Sequence, residues 1–280
     1  MKLGQKLAIL YISTKLKILN IISPRKAVRE TFKIFSTPPT RTNKPASAIF
    51  KKAEKHAVMV DDIEVMLFHW PKPGAQKITI LHGFESSVTN FDSYISQLIE
   101  RGFEVLAADA PGHGISGGKQ LTLPLYVKTI EAIDQQFGPI TGFVSHSFGG
   151  LALAHYMEEK ENNYDKKLVF IAPATEVTTA VDNFFELLQL KGSIKTSFEN
   201  YIQELGKQPL EYFSVKRTMA KIHSKVLWIH DKEDKVTPLK DIEPLIENQT
   251  DNIEFVITKG LGHSRIYRDE EVIKKVVAFF

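Results

Sequence analysis

From residue 56 onward the chain switches repeatedly between two hydrophobic periods. Short apolar or alternating runs of strand length fall at 56–60, 63–70, 77–81, 103–108, 140–145, 167–172, 225–230 and 253–258. Segments whose apolar positions recur every three or four residues, as on one face of a helix, fall at 91–101, 122–137, 148–160, 239–248 and 269–280. Two consecutive strands followed by strand–helix alternation predict an α/β domain: a mostly parallel sheet with helices on both faces.

Two stretches break this rhythm. Residues 1–45 have helical periodicity up to Pro38-Pro39 and read as one or two amphipathic helices. Residues 173–222 are too long for a simple crossover and include an apolar helix-period stretch, 181–190, and an aromatic-bearing one, 198–213. The expected organisation is a basic N-terminal segment (1–45), a core (46–172 and 223–280) and a small helical lid (173–222). Phe184, Phe185 and Leu188 are the candidate substrate-facing residues of the lid; packing within the lid is the competing reason for their apolarity.

Composition changes the picture in two ways. The 280 residues include no cysteine, which excludes disulfides, thiolate metal sites and cysteine nucleophiles. The net charge of +3 conceals an asymmetry: residues 1–45 hold ten Lys or Arg and one acid, Glu30, leaving the remainder at −6. A basic helix with one apolar face suits a lipid interface, and a helix packed on the body with its lysines in water is the alternative. Lys6, Lys15 and Lys17 interrupt the Leu- and Ile-rich stretch 3–22, and the uncharged run 7–14 is too short to cross a bilayer. No A-x-A-like cleavage site follows it. The expectation is a cytoplasmic protein with a candidate peripheral membrane contact through residues 1–45. Few aromatics in that segment speak against nucleic acid. Nothing in the sequence assigns an oligomeric state.

The sharpest chemical signal is Ser145-His146-Ser147-Phe148-Gly149-Gly150, between an apolar strand and a helix. A tight strand-to-helix turn needs small residues two positions either side of an exposed nucleophile, here Ser145 and Gly149. It would lift the Ser147 hydroxyl from the strand end and aim the Phe148 N–H at a developing oxyanion. After an earlier strand comes His82-Gly83-Phe84, whose Phe84 N–H is the candidate second oxyanion donor, with Gly83 expected to permit the turn. Asp109-Ala110-Pro111-Gly112-His113-Gly114 lacks phosphate-loop spacing and reads as a packed loop, with His82 and His113 structural. A serine needs a base to take its proton and a carboxylate to orient that base. Asp234 and His263 follow two later strands in the order Ser, Asp, His; Asp231 and Glu233 are lesser candidates for the acid.

Together these motifs resemble the α/β-hydrolase superfamily over residues 50–280, most closely its esterase- or lipase-like members. The resemblance implies an eight-stranded sheet with a helical cap after the sixth strand. It also implies hydrolysis through an acyl-enzyme on Ser147, Asp234 and His263, with no cofactor and no metal. A serine at position 147 differs from the haloalkane dehalogenase and epoxide hydrolase branches, which carry aspartate there. A small acyl ester, lipid-like or not, is the expected substrate. A peptidase or amidase on the same residues is one alternative, using acids such as Glu176, Asp182 or Glu199 to hold an amine. A catalytically silent binding protein on this fold is another.

Overall fold

The computed structural model describes residues 3–41, 47–160, 163–248 and 250–280. Two helices, α1 (Leu3–Ile22) and α2 (Pro24–Ser36), precede an antiparallel pair, β1 (Glu54–Val60) and β2 (Ile63–Trp70). Then come β3 (Lys77–Leu81), α3 (Asp92–Glu100), β4 (Glu104–Ala108), α4 (Leu123–Phe137), β5 (Gly142–His146), α5 (Phe148–Glu158) and β6 (Lys167–Ile171). Helices α6 (Val177–Leu187), α7 (Ser193–Gly206) and α8 (Val215–Thr218) lead to β7 (Lys225–Asp231). The chain ends with α9 (Glu243–Glu247), β8 (Ile253–Thr258), α10 (Gly262–Arg265) and α11 (Glu270–Phe279).

The eight strands form one sheet in the order β1-β2-β4-β3-β5-β6-β7-β8. Strand β2 runs antiparallel to both β1 and β4, and from β4 to β8 every pairing is parallel. The expected α/β architecture, eight strands and helices included, is therefore the observed one. Every residue of β4 and β5 is buried, as parallel strands covered on both faces must be, and this is why they read as continuous apolar runs. Helices α3 and α11 contact each other on one side; their Tyr94, Leu98, Val272 and Val276 share a core with Ile80, Val144, Val169 and Ile229 of the strands. Asp269 caps α11 by accepting from the amides of Glu271 and Val272.

One expected helix is different. Residues 239–248 form a 3-10 turn, Leu239–Asp241, and the short α9 instead of one continuous helix. Pro244 has no N–H to give and its ring would strike the preceding turn, so the helix restarts there.

The chain divides into two compact units. One contains the sheet and comprises Pro38–Thr175 and Val215–Phe280; the other comprises the residues up to Thr37 and Glu176–Ser214. The boundary expected near residue 45 falls among residues 42–46, outside the described residues. In the smaller unit Leu16 and Ala27 of the N-terminal helices share a core with Val181, Phe185, Leu188, Leu190, Ile194 and Phe198. Phe198 stacks edge-on against Phe35 and Phe185 at 5.5 and 5.2 Å. Phe185 and Leu188 are 2% and 3% exposed, so packing within this unit accounts for their apolarity, and Phe184 lies partly buried against Phe35. The two buried residues therefore have no surface left for an acyl chain. Among the described residues, no helix is long and apolar enough to cross a membrane.

Truncating a ring from this core leaves a cavity that its neighbours fill only in part. Phe198→Ala should cost about 3–5 kcal/mol in urea unfolding. Phe185→Ala should behave likewise, lowering stability more than it alters any chain-length preference; an altered preference with unchanged stability would contradict its place in the core.

Candidate active site

Strands β5, β7 and β8 lie in one parallel array, and the loops after their carboxyl ends bring Ser147, Asp234 and His263 together. His263 Nε2 is 2.9 Å from Ser147 Oγ, and His263 Nδ1 is 2.8 Å from Asp234 Oδ2. The chain of bonds fixes a tautomer: Nδ1–H donates to the carboxylate, leaving Nε2 to accept the serine proton.

Ser147 has φ 52° and ψ −121°, a strained conformation for a residue with a side chain. The cause is packing on either side of it. A Cβ on Gly149 would meet the carbonyl oxygens of Leu81 and His82 at 2.6 and 2.7 Å, so only glycine lets α5 start this close to β3. A Cβ on Gly83 would meet the Cβ of Ser147 at 2.7 Å. Gly83 is not among the residues at positive φ, so it is needed for this close approach and not for the turn expected of it. Ser145 replaces glycine at the other small position because its hydroxyl has a partner, donating to Val169 O at 2.8 Å.

Asp234 is nearly buried. Burial alone would raise its carboxyl, but the bond and charge of His263, with the amides of Thr237 and Val236, outweigh this and hold it below the ordinary carboxylate value. Thr237, which carries no motif of its own in the sequence, completes this arrangement. Its hydroxyl lies 2.9 Å from Asp234 Oδ2 and 3.2 Å from His263 Nδ1, and its amide donates to Asp234 Oδ1 at 2.9 Å. Asp231 instead accepts from Thr258 Oγ1 and from the Leu261 amide, at 2.7 and 3.0 Å, and ties the loop bearing His263 to the end of β7. Glu233 contributes its amide to Asp231 at 2.9 Å.

His146 also lies in the site without having been distinguishable as a site residue in the sequence. It is buried, its Nε2 lies 3.2 Å from His263 O, and its ring is 4.8 Å from that of His263 and 4.3 Å from that of Tyr267. Burial and the neighbouring His263 push its pKa well below the ordinary 6.5, so it stays neutral.

Phe148 is the first residue of α5, where the N–H has no acceptor within the helix. Phe84 packs its ring edge-on against Phe148 at 6.2 Å and against His113 at 5.4 Å. His82 and His113 hold the loops behind these residues. His82 donates from Nδ1 to Gly83 O and accepts the Ala110 amide at Nε2, at 2.8 and 2.9 Å. His113 bonds Pro111 O and accepts the Glu85 amide, at 3.0 and 3.2 Å. Asp109, pressed under Gly114, accepts from the amides of Val88 and Ile115. A different trio, Glu54, His56 and His69, brings metal-ligating atoms within 4.8 Å of one another. It lies on β1 and β2 beside Glu104, at the amino end of β4, and takes no part in the site.

Burial lowers the pKa of both His82 and His113 from 6.5 to about 4. Unfolded, each takes up a proton as the pH falls below 6.5; folded, each resists until about 4. Their contribution to stability is therefore complete above 6.5 and is lost from there down to about 4. The unfolding free energy from urea titrations should fall as the pH is lowered across that window, by up to about 1.4 kcal/mol per pH unit for each histidine. His113→Gln should flatten the slope, and an equally steep fall in that variant would exclude His113 as a source. Gly149→Ala should destabilise by more than about 2 kcal/mol, since backbone carbonyls cannot yield as side chains do, whereas Ser145→Ala should cost about 1 kcal/mol.

Comparison with known proteins bears on the fold. A family model described as serine aminopeptidase, S33, matches residues 72–209. An esterase of Pyrococcus furiosus has a similar structure, with a TM-score of 0.65 and 18% identity, covering 87% of this chain and 96% of that one. Est1E of Butyrivibrio proteoclasticus, solved with ferulic acid bound, has a TM-score of 0.64 and 22% identity, covering 80% and 97%. The thioesterase domain of the curacin biosynthetic pathway has a TM-score of 0.58 and 13% identity, covering 81% and 98%. At these identities the structural likeness speaks for the fold: with the strand order, it shows that the chain has the α/β-hydrolase fold, and residues 72–209 are similar to the S33 family model.

Proposed function

We propose that the protein is a serine hydrolase that cleaves carboxylic esters, lipid-like acyl esters among them, through an acyl-enzyme. The observation that carries this reading is the unbroken path from Ser147 Oγ through the His263 ring to Asp234, with Ser147 held in a strained turn at the strand end. In the proposed reaction His263 Nε2 takes the Ser147 proton as Oγ attacks the acyl carbon. Charge then develops on the carbonyl oxygen, where the N–H groups of Phe148 and Phe84 would receive it; one such donor is worth about 3–4 kcal/mol. As the tetrahedral intermediate collapses, His263 returns the proton to the departing alkoxide and the acyl group stays on Ser147. Water then repeats the sequence with His263 as base and releases the acid. Asp234 remains ionised throughout, stabilising the imidazolium and holding its tautomer.

The description of the matched family favours a second reading, cleavage of an N-terminal peptide bond by the same residues. An aminopeptidase needs acids free to hold the substrate ammonium. Of the acids in the insertion, Asp182 and Glu199 pair with Lys195 at 2.5 and 3.7 Å, and Glu176 accepts from Ser214 Oγ at 2.9 Å. These engagements take three of the six acids out of that role; Glu186, Glu204 and Glu211 are exposed, so the ranking of ester against amide is left to the substrates themselves.

A fluorophosphonate probe should modify Ser147 alone in peptide mapping, and no modification of folded protein would remove the proposal. Ser147→Ala and His263→Ala should abolish turnover with the fold intact. Asp234→Asn should lower kcat by on the order of 10⁴, through the wrong tautomer. p-Nitrophenyl esters should be turned over more efficiently than aminoacyl p-nitroanilides, and the reverse ranking would select the peptidase.

A further inference from the structure

Helix α1 is apolar on two opposite sides. One side is consumed: Leu16 is fully buried, and Ile9, Ile12 and Leu19 pack against the small unit's core. The other side is largely exposed. Leu3, Leu7, Leu10, Ile18 and Ile21 are 53–84% exposed. Their spacing of three, four and eight residues places them, at about 100° per residue, in one stripe about 80° wide along the helix. Tyr11 and Ile22, 70% and 75% exposed, widen the stripe to about 120° at that pitch. A contiguous apolar surface of this kind is uncommon on a free surface and marks a place where something docks.

Charge identifies the occupant. The same helical pitch puts Lys6 and Lys17 along one edge of the stripe and Lys15 along the other, and α1 contains no acid. The one acid of α2, Glu30, is held by Lys15 at 2.6 Å. Beyond the end of α1, Arg25, Lys26, Arg29 and Lys33 are all exposed. Arg25 and Arg29 also line a cleft of about 410 Å³ with Ser197, Asn200, Tyr201 and Glu204. A second copy of α1 laid on the stripe would set lysine against lysine, with no acid at the edges to pair with them. An anionic lipid surface meets both requirements, accepting the apolar side chains between its headgroups while its phosphates receive the flanking ammonium and guanidinium groups. Lysine stems are long enough to reach the headgroups from the edges of a half-sunk helix.

We propose that α1 is a membrane-surface helix: it lies in the plane of an anionic bilayer, inserts the stripe from Leu3 to Ile22 into the headgroup–acyl boundary, and adheres through its flanking lysines. The helix does not span, which agrees with the lysine interruptions and with its other face being committed to protein.

The test is flotation of the full chain with phosphatidylcholine vesicles, with and without phosphatidylglycerol. The protein should float with the mixed vesicles, bind much less to phosphatidylcholine alone, and be released from the mixed vesicles by salt. Leu7→Glu/Ile18→Glu should keep the helical circular-dichroism signal and the Tm and lose at least about tenfold in vesicle affinity, because neither residue supports the fold. If glutamate proves disruptive, Leu7→Ser/Ile18→Ser should show the same loss. Lys6→Gln/Lys17→Gln should weaken binding about 30-fold, on mixed vesicles only. Wild-type protein that stays unbound to every vesicle would overturn the proposal, as would equal, salt-insensitive binding to phosphatidylcholine alone. Sedimentation in which the glutamate pair converts a dimer to a monomer would assign the stripe to a second copy instead. Flotation needs no turnover, and the glutamate pair should hydrolyse a soluble p-nitrophenyl ester as the wild type does, so this proposal and the esterase reading can fail separately.

Discussion

The start of α5 lies so close to the end of β3 that the chain between β5 and α5 has one way to turn. Gly149 faces the Leu81 and His82 carbonyls and Gly83 faces Ser147 Cβ, each across a gap that a methyl group would overfill. The strained Ser147 backbone follows from these two contacts, at a cost on the order of 1–3 kcal/mol. Its own bonds offset that cost: the Ser147 amide donates to Ile171 O, and its carbonyl accepts from Gly150 and Ala174, at 3.2, 2.9 and 3.0 Å. With the hydroxyl raised at this point, Asp234 and His263 need only arrive from the loops after β7 and β8 of the same array. A parallel sheet thus brings the three side chains within hydrogen-bond distance of one another.

Around that turn the electrostatics separate buried groups that carry charge from those that do not. Burial and its neighbours keep His82, His113 and His146 neutral; His82 and His113 each serve as a fixed donor–acceptor linking two loops, while His146 donates from Nε2 to His263 O. Asp109 and Asp234 are both buried and both accept backbone amides, yet burial raises the pKa of the first while the second is lowered. What separates them is His263, whose bond and charge favour the ionised form of Asp234. An anion is thereby retained at the one buried carboxylate that adjoins the serine–histidine pair.

Much of this was legible in the sequence because it is local. Strand runs followed by small residues mark the ends of β3, β5 and β8, a charged run marks the end of β7, and chain order relates Ser147, Asp234 and His263. Features that depend on contacts between distant residues were not legible. Nothing in residues 234–238 reveals that the Thr237 hydroxyl sits between carboxylate and imidazole, although an acid three residues before a threonine is the spacing of a side-chain turn. The Ser145 bond to Val169 O depends on β5 pairing with β6. Helical periodicity carried the expected helix over 239–248 across Pro244, where α9 instead starts afresh after the 3-10 turn. The same periodicity marks Phe185 and Leu188 as apolar but does not say that Leu16 and Ala27 are what they touch.

That shared core has a consequence for how the protein is made. On a ribosome α1 and α2 emerge long before the residues that complete their core, Val181 to Leu210, which follow more than 140 positions later. Until then Leu16, Ala27 and their neighbours have only each other, and the core they share with residues 181–210 stays open. Closing a loop of that length is an entropic cost that local contacts cannot advance, and chains with such separations fold slowly. Helices α1 and α2 are thus synthesised well before the residues that complete their core and are among the last to be folded, a period in which a chaperone or a lipid surface would find them open.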